Sequence, residues 1–163
     1  MSKSNALSRA LGKIQSWPAP VRRTAMTKMF TLKVKFAGTG GVKIEEAGDG
    51  RAVLTMKNRS KVQNHIKGIH AAAMALLGES ATGVAFGLSL PDKYIPLLKS
   101  MKIDYVRRAQ GDLRAEAHLA PEQQQAMLTQ EKGDALVTVK VTDSAGEEPI
   151  RCEFVWAWVP KKR

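Results

Sequence analysis

Cysteine is almost missing: Cys152 is the only one in 163 residues. A single thiol excludes an internal disulfide framework and a cysteine zinc site, and it fits a reducing, cytoplasmic compartment. Histidine is nearly as scarce. His65, His70 and His118 leave little material for a histidine-rich centre, so neither a metal nor a resident cofactor is expected. Acid is missing from one stretch. Residues 1–36 hold Lys3, Arg9, Lys13, Arg22, Arg23, Lys28, Lys33 and Lys35 with no Asp or Glu, so eight of the net +11 charges sit there. Such a segment calls for an anionic partner, and weak contact with an anionic membrane face is one expectation. No stacked-aromatic motif accompanies the charge, so nucleic acid is not expected. A secretory signal is not evident either, for want of a continuous apolar core near the first residue.

What is present is globular. Hydrophobic residues make up 44% and charged residues 25% of a 17.8 kDa chain, enough for one domain with a real core. Leu7, Leu11 and Ile14 at helical spacing predict an amphipathic helix over 5–16, ended by Trp17-Pro18, with a second helix over 21–30. Leu32, Val34 and Phe36 alternate with Lys33 and Lys35, which predicts a short extended stretch, and the glycine-rich residues 37–41 predict a flexible break. No Gly-Lys-Ser/Thr follows at the spacing of a phosphate-binding loop. Residues 42–46 and 51–57 alternate around Gly48-Asp49-Gly50 and predict a β-hairpin.

From Ile69 to Leu90 the chain is almost continuously apolar, and Glu79 is its one charged residue. The run is long enough for a membrane span, but it is built of Ala and Gly and carries Glu79, Ser80 and Thr82 mid-length, which lipid penalises. A water-soluble helix that is apolar all round must be buried all round, and its small residues let surrounding backbone come close. After it, 101–105, 113–119, 135–141 and 152–159 alternate as strands, with Pro121 opening a short helix over 122–131 that Gly133 closes. Phe154, Trp156 and Trp158 share one face of the last strand, and Lys161-Lys162-Arg163 reads as a solvated tail. One long central helix wrapped by a curved antiparallel sheet is an α+β architecture.

This order, and the text NHIKGIHAAAMALLGE over residues 64–79, resemble the hotdog fold of acyl-CoA thioesterases. The resemblance is to the phenylacetyl-CoA thioesterase-like group, including a bacterial branch with nearly the same text. It spans roughly residues 38–159, leaving residues 1–36 as a basic helical extension and 37–163 as the hotdog domain. In that group an Asn precedes a Gly-containing turn and a His at the helix start, with an acid further along the helix. Asn64, Gly68, His70 and Glu79 stand at those places, although Ala71-Ala72 replaces the usual Gly pair and Glu replaces the usual Asp.

The resemblance implies hydrolysis of a thioester to a free acid and CoA. Glu79 is the general base or nucleophile, and burial suits it by raising its pKa. Asn64 holds the water or the carbonyl, and the backbone amides of His70 and Ala71 form the oxyanion hole. Gly68, Met74, Leu77, Met101 and Tyr105 shape the substrate site. CoA enters only as part of the substrate. A homodimer that shares its sites, or a homotetramer, is implied as well. The alternative is a hotdog dimer that binds acyl-CoA or lipid without turning it over.

Overall fold

A computed structural model describes residues 5–161; Lys3 and the tail beyond Lys161 lie outside the described residues. The order is α1 (Ala6–Ile14), α2 (Ala19–Lys33), α3 (Lys35–Gly40), β1 (Lys43–Gly48), β2 (Arg51–Met56), a 3-10 turn (Ser60–Val62), α4 (Ala71–Ser89), β3 (Tyr94–Tyr105), β4 (Leu113–His118), α5 (Pro121–Thr129), β5 (Gly133–Asp143) and β6 (Ile150–Pro160). The strands form one antiparallel sheet in the order β1-β2-β4-β5-β6-β3, and α4 touches all six of them.

Alternation decides which side of each strand meets the helix. Ala52, Leu54 and Met56 on β2, Leu113, Ala115 and Ala117 on β4, Ala135, Val137 and Val141 on β5, and Phe154, Trp156 and Trp158 on β6 are all buried. From α4 they receive Leu77, Ala81, Ala85 and Phe86, each with no measurable exposure. Burying a Leu, Val or Phe side chain contributes about 1.5–3 kcal/mol, so this one helix supplies much of the driving force for folding. At two of the glycines of α4 it is aromatic rings that come close. A Cβ on Gly78 would lie 2.9 Å from Phe154 Cε2, and one on Gly83 would lie 2.9 Å from Trp156 Cζ2. The Trp156 indole N–H then donates to Thr82 Oγ1 at 2.9 Å, so its polar edge is satisfied inside the core.

Four expectations change. The stretch 32–36 is not extended: Leu32 and Lys33 end α2, Val34 breaks the helix, and α3 follows at once. A five-residue alternation cannot distinguish the two periods. Nor are residues 37–41 a flexible break. They are helical up to Gly41, whose left-handed φ of 70° ends α3, while a Cβ on Gly40 would lie 2.6 Å from Leu76 Cδ2. These glycines serve close packing and a cap. Gly133 opens β5 rather than closing α5. Finally, β3 begins seven residues earlier than read. It is the sheet edge, where a strand proline such as Pro96 is tolerated, and a register shift between Leu98 and Ser100 breaks its alternation, so only the second half reads as a strand.

Helix α1 closes the open end of α4. Leu11 and Ile14 are buried in the common core, and Asn5 caps α1 through Oδ1 while its Nδ2 donates to the carbonyls of Gly87 at 2.6 Å and Leu90 at 2.7 Å. One buried amide thus serves two helix ends. Replacing it by Ala removes a cap and strands carbonyls, and we expect Asn5→Ala to cost about 2 kcal/mol, read as a lowered urea midpoint. Gly78→Ala should also lower the midpoint, because the Phe154 ring is fully enclosed and overpacking of about 1–3 kcal/mol exceeds the helix-propensity gain.

Candidate active site

The loop that leads into α4 is built around Asn64. Its Oδ1 accepts from the amides of Ile66 at 3.0 Å and Gly68 at 3.1 Å, and its own amide donates to the Gly68 carbonyl at 2.8 Å. Two amide donors fix which end of the side chain faces the loop. Oδ1 is therefore spent. The Nδ2 group bonds to no described residue, so Asn64 can donate to a carbonyl but has no acceptor left for a water. Gly68 belongs to this turn as a hydrogen-bonding backbone position and is itself buried.

His70 is the N-cap of α4: its Nδ1 accepts from the Ala72 amide at 3.0 Å. Its own amide donates to the Val62 carbonyl at 2.8 Å and is not available as an oxyanion donor, contrary to the sequence reading. The Ala71 amide is engaged by no described partner and stands at the positive end of a 19-residue helix. Tyr105, at the end of β3, donates its hydroxyl to the Ala71 carbonyl at 3.0 Å, so the edge strand and the helix start meet. Burial raises the Tyr105 pKa, with the neighbouring Cys152 adding to it.

Glu79 lies on the one incompletely covered line of α4, with Ala71, Ala75, Gly83 and Gly87. Burial pushes its carboxyl pKa up; the Ser80 hydroxyl, 3.5 Å away, works the other way. The same chain does not bring Glu79 to Ala71: eight residues at 1.5 Å rise put it about 12 Å along the helix. Met74 and Leu77, expected at the substrate, face the core instead, and Leu77 has no exposed surface to offer one. Met101 is exposed on β3. Cys152 is no nucleophile here, since burial, and secondarily Glu148, push its thiol up to about 11.

Sequence reasoning missed the residues that hold the loop. The side chain of Asp143 accepts from the amides of Gln110, Ala145 and Glu147 and from Arg107. Burial pushes its pKa up, yet these donors outweigh it and hold the carboxyl below its usual range. Ser144 next to it receives the Asp112 amide, Asp112 receives the Asn58 amide, and Asn58 bonds Gln63 and the Lys67 carbonyl. In sequence these residues lie in three segments far apart, around Asn58, Asp112 and Asp143, with no shared motif to mark them. A cavity of about 210 Å³ lies beside the helix start, between Phe36, Gly40, Lys61, Val62, His70 and Leu76. A larger one, about 540 Å³, lies at the other end of α4 between α1, the β1-β2 turn and α5, and contains none of the candidate residues.

The family described as "Domain of unknown function (DUF4442)" matches residues 22–159. A Halobacterium salinarum protein named "Putative esterase" is 33% identical over 82 residues, which cover 47% of this chain and about half (54%) of that protein. Among solved structures, a Pseudomonas aeruginosa protein described as of unknown function and a "Probable Thioesterase" aligns with a TM-score of 0.75 at 25% identity, covering 83% of this chain and 93% of that one. A variant of a Staphylococcus aureus thioesterase aligns with a TM-score of 0.66 at 22% identity, covering 77% and 99%; at that identity the likeness is one of fold. The six-stranded curved sheet around α4 is thus the hotdog fold, and the chain belongs to the DUF4442 family.

Proposed function

We propose that the protein hydrolyses acyl thioesters, such as acyl-CoA, in a homodimer whose sites combine groups from both subunits. The observation that carries this is Glu79: a carboxyl half-buried on the one open line of an otherwise enclosed helix, with its pKa raised by burial and no ion pair to any described residue. A raised carboxyl suits a general base near neutral pH. Glu79 takes a proton from water, the hydroxide adds to the thioester carbon, and the oxyanion is received by the Ala71 amide and Asn64 Nδ2. The C–S bond then breaks and the proton passes from Glu79 to the departing thiolate. Direct attack by Glu79 through an acyl anhydride uses the same residues. Each group must come within about 3 Å of its atom, so the ~12 Å between Ala71 and Glu79 in one chain calls for the base of one subunit and the donors of the other.

The edge supports such a pairing. β3 pairs β6 on one side only, leaves its outer edge open and exposes Ile95, Leu97, Met101 and Tyr105, a liability that a second copy removes. Names borne by the relatives lend further support, as do the structures that share the fold.

Glu79→Gln keeps shape and removes the base. On a panel of short, long and aromatic CoA thioesters, free-thiol release should fall about a hundredfold. A folded Glu79→Gln protein with undiminished turnover overturns the assignment, and CoA-thioester binding without turnover in the wild type leaves a binding protein. The sign of the stability effect is opposite. A carboxyl whose folded pKa is raised costs stability once pH exceeds its unfolded value, and the cost grows until the folded pKa is passed. Glu79→Gln should therefore melt higher than the wild type near pH 7.5, the gap closing as pH falls toward 4.5. Sedimentation should find twice the 17.8 kDa chain mass or a multiple of it, and no monomer.

A further inference from the structure

The segment 32–36, Leu-Lys-Val-Lys-Phe, is exposed along its whole length. Leu32 keeps 78% of its surface in water and Phe36 68%, the highest values among the exposed large hydrophobic residues described, and Val34 between them keeps 38%. Lys33 and Lys35 alternate with them and make no ion pair with any described residue; nor does Lys28, one turn back on α2. The first acid in the sequence is Glu45, and it is paired with Arg23. The backbone break at Val34 turns this stretch into a corner where α2 meets α3. α2 packs on β1, at the sheet edge opposite β3, so the corner lies away from the edge offered for pairing.

An isolated apolar side chain in water is ordinary, but three within five residues, interleaved with unpaired lysines, form a protruding apolar tip with a cationic collar. A protruding tip fits no pocket of its own making. It fits a soft, anionic, apolar-beneath surface, into which Leu32 and Phe36 enter while the lysine stems lie along the boundary and their ammonium groups meet phosphates. We propose that this corner docks the protein on anionic phospholipid bilayers. The amphipathic stripe of α1 has no part in it, since Leu11 and Ile14 are buried in the core. Phe36 also lines the 210 Å³ cavity that reaches His70, so docking sets the mouth of that cavity against the lipid.

The test is co-sedimentation of the full chain with vesicles of phosphatidylcholine alone and of phosphatidylcholine with a third phosphatidylserine, at low and at high salt. The wild type should pellet with the anionic vesicles at low salt, release at high salt and ignore the neutral ones. Lys33→Gln/Lys35→Gln should weaken partitioning roughly thirtyfold. Leu32→Ser/Phe36→Ser should weaken it about tenfold or more while lowering the melting temperature little, since both side chains are mostly exposed. Failure of the wild type to pellet overturns the proposal. So does equal pelleting of Leu32→Ser/Phe36→Ser, which would reduce the effect to net charge. If polyglutamate strips the wild type from vesicles and the apolar variant binds polyglutamate as tightly, the lysines belong to an acidic protein partner and the proposal also falls.

Discussion

Everything in this molecule answers to one constraint: α4 is apolar on nearly every side and has to be covered on nearly every side. A flat sheet covers one face of a helix. A six-stranded sheet that curls around it covers most of the rest, and the indoles and phenyl ring of β6 lie where Gly78, Gly83 and Gly133 leave room for them. Helix α1 closes one end through Asn5. Helix α3 approaches the other through Gly40. What remains is a single line of small residues with one carboxyl in it, Glu79, half-buried where the wrapping stops.

The helix start is held by a different kind of force. Val62 and Ile69 anchor the two ends of the turn around Asn64 in the core, and between them a relay of short polar bonds holds it, running from the buried Asp143 through Ser144, Asp112 and Asn58. Asp143 illustrates the balance. Its side chain is wholly buried, a costly place for a charge, and three amides with Arg107 offset that cost. By contrast, Glu116 is held near a pKa of about 2 by Arg114, Arg51 and His118, yet this cluster sits on the wet face of the sheet and contributes little to stability. The two carboxylates look alike in sequence. Only the first positions the loop.

Periodicity made most of the fold legible. The hairpin, α4, β4, β5 and β6 each alternate or repeat over enough residues to name both the element and its buried face, and the continuous apolar run of α4 implied a wrapping sheet. The signal failed where few residues carried it or where a register shift broke it. Leu32, Val34 and Phe36 alternate for five residues that turned out to straddle two helices. β3 is mostly exposed, and the register shift between Leu98 and Ser100 left only its second half with a clean period. At the candidate site, the positions of Asn64, His70 and Glu79 were legible through resemblance, while hydrogen-bond occupancy was not. That His70 spends its amide on Val62, that Asn64 spends its oxygen on its own loop, and that Leu77 faces inward are facts of three-dimensional pairing that leave no mark in a sequence.

The central claim is that each site joins the Asn64–Ala71 turn of one subunit to Glu79 of another. Mixing two inactive variants tests it directly. Asn64→Ala and Glu79→Gln chains, co-expressed with different tags and purified as the hybrid, should recover about half the wild-type thioesterase rate, because one of the two sites then regains both wild-type groups while the other loses both. A pure hybrid as inactive as either parent would show that both groups act within one chain, and would contradict the shared site.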